Sequence, residues 1–198
     1  LSKARQPSGQ ACRHYQLFNQ DFALAKSLFH NAHRFSIEWS RVFPDQGQFN
    51  KVEISHYFEV VRALKSRGIE PVVTLHHFTN PLWFSRQGAW ENRSLIKHFL
   101  DFVERVVEEL SQEVKFWVTI NEPLVYAYHS YVIGAWPPQK KSISKARAVT
   151  ANLLEAHIKA YRLIHKIYRK KNLKAPSVSI AKNMQYFQAC NSSLRNQI

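Results

Sequence analysis

The chain has 198 residues, 45% of them hydrophobic and 13% aromatic, and its 28 Lys+Arg against 14 Asp+Glu give a formal charge of +14. This content excludes a disordered or fibrous chain and is enough for one sizeable core, read as a single domain over residues 1–198. No apolar run approaches the ~18 residues of a membrane span, and the opening LSKARQPSGQ lacks a signal-peptide core, so a cytoplasmic chain is expected.

Phe22, Leu24, Ala25, Leu28 and Phe29 predict a helix over about 19–30, and the alternation His33-Arg34-Phe35-Ser36-Ile37-Glu38-Trp39 predicts a strand after it. Ile54, Tyr57, Phe58, Val61 and Leu64 recur at helical spacing up to Gly68, a natural left-handed stop, before the buried strand Pro71–Leu75. A third helix over about 93–110 carries Leu95, Phe99, Phe102, Val103, Val106 and Leu110, with Asn92 as its expected cap, and leads to a strand over Val114–Ile120. A long helix follows, with apolar Leu153, Leu154, Ala156, Ile158, Tyr161, Ile164 and Ile167, and then a fourth strand at Ser177–Ala181.

Helix and strand alternate with no hairpin signal, so parallel strands joined by right-handed crossovers are the economical topology and the class is α/β. No Gly-x-Gly-x-x-Gly follows any strand, whereas Glu38-Trp39, His76-His77-Phe78 and Asn121-Glu122 gather where three successive strands end. That rim is where (β/α)8 barrels place their chemistry, so a partial barrel is favoured over a doubly wound sheet. Four strands are half of one. The chain opens on Leu1 and its only Met is Met184, which suggests a piece of a longer reading frame.

The charge is unevenly spread. Residues 1–138 hold 15 Lys+Arg against 13 Asp+Glu, and residues 139–198 hold 13 against 1. The long helix is therefore amphipathic with a basic outer face. A solvated barrel surface is the plain reading of it, which makes nucleic acid an unlikely partner; contact with RNA, anionic lipid or an acidic partner stays open. Cys12 and Cys190 are too few and too far apart for a disulfide framework or a zinc site and read as free thiols, and no ligand cluster points to a metal.

Glu122 follows the third strand among Trp117, Tyr126 and Tyr128. Aromatic surroundings favour the protonated form of a carboxyl, which suits a general acid. Asn121 beside it carries both an amide donor and a carbonyl acceptor, the equipment for holding a sugar hydroxyl, and aromatic faces stack on pyranose rings. A glutamate that only caps the next helix is the competing reading.

Trp117 and Thr119-Ile120-Asn121-Glu122-Pro123 resemble the Thr-Phe/Leu-Asn-Glu-Pro signature of glycoside hydrolase family 1, the β-glucosidase family of retaining (β/α)8 barrels. HRFSIEWSRVFP over 33–44 is similar to that family's second barrel strand, VTLHHFTNPLW over 73–83 to its third, and GAWENR over 88–93 to the Gly-x-Trp segment beyond. The resemblance covers about 8–183 and implies barrel strands two to five with their helices. It implies an O-glycosyl hydrolase of β-glycosides or oligosaccharides, with Glu122 as general acid/base, Asn121 on the 2-hydroxyl, His77 on another hydroxyl of the same sugar, and Arg34 orienting the nucleophile. It implies no cofactor and no metal. The family's second carboxylate sits in a Thr-Glu-Asn-Gly motif that is absent from these 198 residues, so the chain by itself is expected to be inactive. Glu38, the other strand-end carboxylate, is assigned no such role. The alternative is a degraded, non-catalytic paralogue that binds sugar, or an anionic partner through its basic helix.

Overall fold

The computed structural model describes residues 9–186; Cys190 and the sequence after Tyr186 lie outside the described residues. In chain order the elements are α1 (His14–Ser27), β1 (Ala32–Ser36), α2 (Trp39–Val42), α3 (Lys51–Lys65), β2 (Glu70–His76), α4 (Leu82–Arg86), α5 (Ile96–Leu110), β3 (Phe116–Asn121), α6 (Pro123–Ala127), α7 (Ile143–Lys170) and β4 (Ser177–Ala181). The strands form one sheet in the order β1-β2-β3-β4, every pair parallel. This is the α/β alternation expected from the periodicity, with α3, α5 and α7 each returning the chain to start a neighbouring parallel strand. No helix is long and apolar enough to cross a membrane.

The core lies between β2 and β3 and the helices behind them. Val73, Leu75, Trp117 and Ile120 pack outward against Trp39, Trp90 and the continuous apolar face of α5, where Phe99, Phe102, Val103, Val106, Val107 and Leu110 are all buried. Burial of side chains this large is the main stabilising term, at roughly 1.5–3 kcal/mol each. At the base, Trp117 Nε1 donates to Tyr168 Oη at 2.8 Å, and that hydroxyl donates to the Val114 carbonyl.

Four sequence expectations need correction. The first strand ends at Ser36 rather than running to Trp39, because Glu38 caps α2 by accepting from the Ser40 N–H at 3.2 Å and from its hydroxyl at 2.7 Å. The first helix runs over His14–Ser27 rather than about 19–30, and on it only Phe22 is buried, while Leu24 and, just beyond its end, Leu28 and Phe29 face outward; Phe29 is 92% exposed. On α7 the apolar residues split into two stripes: Leu153, Ala156, Ala160, Ile164 and Ile167 are buried, whereas Leu154, Ile158 and Tyr161 are exposed. Asn92 does cap, but it caps the 3-10 turn Arg93–Leu95 that precedes α5.

Candidate active site

The C-terminal ends of β1, β2 and β3 converge on one rim. β3 finishes with Asn121, the peptide turns sharply at Glu122, and Pro123 starts α6 at the position where proline's missing N–H costs nothing. Glu122 holds φ 44°, ψ 62°, a left-handed conformation that a non-glycine residue adopts only when its surroundings enforce it. They do so from both sides, since its N–H donates to the Ala181 carbonyl of β4 at 2.9 Å and its carbonyl accepts from the Tyr126 N–H at 3.1 Å. Its side chain makes no capping bond to α6, and its carboxylate has no hydrogen-bond partner among the described residues. Glu122 thus occupies the N-cap position of α6 but contributes no side-chain capping bond there.

Arg34 leaves β1 and reaches over β2 so that its Nη1 donates to Asn121 Oδ1 at 2.9 Å. Asn121 is 2% exposed, and with Oδ1 taken, its Nδ2 is the atom left to donate to a hydroxyl. His77 follows β2, is exposed at the rim, and meets the Phe78 ring edge-on at 4.9 Å between centroids. Partial burial holds the His77 imidazole below its ordinary pKa, and the Arg34 charge pushes the same way while Glu122 opposes it. Arg34 and Glu122 thus both lie within electrostatic reach of His77, and Asn121 is bound to the first and adjacent in sequence to the second. The chain brings all four candidate residues together.

A cavity of about 840 Å³ opens on the other side of Glu122, with Tyr128, His129, Leu154 and Lys182 on its wall. Arg34, Asn121 and His77 are not part of that lining, so Glu122 stands on the boundary between the polar trio and the cavity. His129 is held flat against Trp136, 4.5 Å between centroids at 20°, and Trp136 in turn packs on Phe78 at 4.8 Å. Glu38 is fully engaged, since besides its cap it accepts from the Thr79 hydroxyl at 2.8 Å. Among the described residues no three His, Cys, Asp or Glu side chains are grouped as a metal site.

Strand alternation turns His76 away from His77 and toward the helices, but does not reveal the polar partners it meets there. His76 turns away from the rim and is buried against Trp90, Phe99 and Tyr126, where burial lowers its pKa to about 4 and keeps the imidazole neutral. Its Nε2 lies 3.1 Å from Asn80 Oδ1, the Trp90 Nε1 donates to the same oxygen at 3.0 Å, and Asn80 Nδ2 donates to Tyr126 Oη at 3.0 Å. A proton on His76 Nε2 lets it donate to Asn80 Oδ1, at the expense of the 3.3 Å approach of the Trp90 indole N–H to the same nitrogen. An asparagine before a proline reads as turn chemistry, and nothing in its spacing announces three distant polar partners.

The family profile described as Glycosyl hydrolase family 1 matches residues 2–197. The chain is 32% identical over 179 residues to beta-glucosidase A of Thermotoga maritima, covering 90% of this chain and 39% of that protein. It is 36% identical over 161 residues to the 6-phospho-beta-galactosidase of Clostridium acetobutylicum, covering 80% and 33%. The solved beta-glycosidase from Pyrococcus horikoshii superposes with a TM-score of 0.83 at 42% identity, over 94% of this chain and 42% of that one. The chain thus spans about two fifths of the length of such relatives, and over that span it belongs to glycosyl hydrolase family 1.

Proposed function

We propose that the rim around Glu122 is the acid/base half of a retaining β-glycosidase site. The observation that carries this reading is the Glu122 carboxylate, without a hydrogen-bond partner among the described residues and presented by a left-handed residue beside the Arg34–Asn121 pair and His77. A sugar held by Asn121 Nδ2 and His77 places its anomeric oxygen at Glu122, with the leaving group toward the cavity lined by Tyr128 and His129. Glu122 gives its proton to that oxygen as the C1–O bond breaks and a second carboxylate, about 5–5.5 Å away, bonds to C1. The Glu122 carboxylate then takes a proton from water as the water oxygen attacks C1 and frees the second carboxylate, so that configuration is retained. Arg34 is placed to hold that second carboxylate ionised by a charge-assisted hydrogen bond.

The 198 residues contain no Thr-Glu-Asn-Gly segment, and Glu38 is committed to capping α2 and to Thr79. The chain alone is therefore expected to bind a simple β-glucoside without cleaving it. Titrating methyl β-glucoside while following side-chain amide and imidazole NMR signals should move Asn121 and His77, and Asn121→Ala should abolish the response. Unmoved signals at tens of millimolar would remove the binding half of the proposal. Turnover of an aryl β-glucoside by the chain alone, lost in Glu122→Gln, would show that the second carboxylate lies within it after all.

A further inference from the structure

His77 and Glu122 are borne by different elements, and neither side chain holds the other. Sheet pairing couples β2 to β3 only as far as His76 opposite Ile120, one residue short of His77. Beyond that pair the chain leaves β2 through a turn in which Phe78 takes φ 73° and the Thr79 N–H donates back to the His77 carbonyl at 2.9 Å. That bond is internal to the turn, and the outside contacts of the turn described above, Thr79 to Glu38 and Phe78 to Trp136, do not reach α6. They do not set where the turn lies relative to the helix that follows Glu122.

Asn80 supplies that link. Its Oδ1 accepts from Trp90 Nε1 at 3.0 Å and faces His76 Nε2 at 3.1 Å, which anchors the turn in the core, while its Nδ2 donates at 3.0 Å to the hydroxyl of Tyr126. Tyr126 is 3% exposed and sits one helical turn after Glu122, whose carbonyl accepts from the Tyr126 N–H. A primary amide is the neutral side chain that offers two acceptor lone pairs and a donor in one plane, and all three directions are used here. We propose that Asn80, acting through Tyr126, is a positioning residue that fixes His77 relative to Glu122. The use of that spacing rests on the glycosidase reading above, in which both groups hold one sugar; misplacement on the ångström scale is enough to cost such a site about 100-fold.

The test reads the spacing without any sugar, through the titration of His77, which Arg34 and Glu122 face with opposite effects. In the native chain, Glu122→Gln should lower the His77 NMR titration midpoint, because it removes the charge that favours the imidazolium. In a Tyr126→Phe background, which deletes only the hydroxyl that Asn80 grips, the same Glu122→Gln change should produce a much smaller move. Asn80→Leu should do the same wherever it folds, and Tyr126→Phe decides the matter if it does not. An equal Glu122→Gln response in both backgrounds, with only the melting temperature lowered, would make the network merely structural and overturn the proposal. Should the native chain show no His77 response to Glu122→Gln, the inference and the shared sugar site fall together. Lost coupling in Tyr126→Phe with no β-glucoside binding by the native chain would leave the inference standing and remove the glycosidase reading alone.

Discussion

β2 and β3 share a sheet with β1 and β4 but live in a different medium. Five of the seven residues of β2 and five of the six of β3 are buried, and not one residue of β1 or β4 is. The central strands carry the packing against α5 and α7 and also deliver His77, Asn121 and Glu122 at their ends. The flanking strands contribute a long side chain, Arg34, and a backbone acceptor, the Ala181 carbonyl. Stability and chemistry are therefore concentrated in the same half of the sheet, and damage to that half should register in both.

The largest expected effect comes from truncating the centre. Trp90 is 1% exposed, packs on Trp39, Phe84, Phe99 and His76, and donates to Asn80. Trp90→Ala should cost about 3–5 kcal/mol, from lost transfer energy and the cavity left behind. Phe29→Ala, at a 92% exposed position flanking β1, should stay within about 0.5 kcal/mol. Urea denaturation of the two variants measures the contrast. Equal losses would mean that the flank is as well packed as the centre.

A smaller effect follows from the pH response of the same buried network. The folded value for His76 is about 4 against 6.5 for an ordinary solvent-exposed imidazole in the unfolded chain, so between those values the unfolded chain binds a proton that the folded chain refuses. Stability should be constant above pH 6.5 as far as this residue is concerned, fall as pH drops from 6.5 to 4, and level off below. The loss is on the order of 3 kcal/mol. His33, His56, His77, His157 and His165 are also lowered by burial and contribute with the same sign. Denaturation midpoints at pH 7.5 and 4.5 measure the total, and His76→Gln, which has no proton to gain, should flatten the largest part of it. A slope unchanged in that variant would place the acid sensitivity elsewhere.

The sequence disclosed the centre better than the flanks, and the reason is physical. Periodicity reports that a face is apolar, and in β2, β3 and α5 the apolar face is the buried one, so those elements and their order were readable. The residues at their ends were readable too, because Asn121-Glu122-Pro123 and His76-His77 break the pattern of a buried strand at the point where the strand stops. Periodicity does not report what covers a face, which is why Leu28 and Phe29 just after α1, and Leu154, Ile158 and Tyr161 on α7, recur at helical spacing and are nevertheless exposed. Nor does it report convergence through space: Asn80, Trp90 and Tyr126 meet from three separate segments, and only the fold makes them one network.

The smallest expected effect tests that second stripe of α7. Ile158 and Tyr161 are 48% and 43% exposed on a helix whose opposite face, through Ala156, Ala160 and Ile164, is fully buried against the core. Ile158→Lys should therefore change stability by no more than about 0.5 kcal/mol, since a lysine stem can lie along the same surface with its ammonium in water. Ala160→Lys, two positions along at 0% exposure, should be severely destabilising because it forces a charge and four methylenes into a filled interior. The two substitutions add the same charge to the same already basic helix, so net electrostatics cancels from the comparison and burial alone separates them. A large loss from Ile158→Lys would mean that this stripe is covered in solution, and the line between centre and flank would then have to be drawn outside α7 rather than through it.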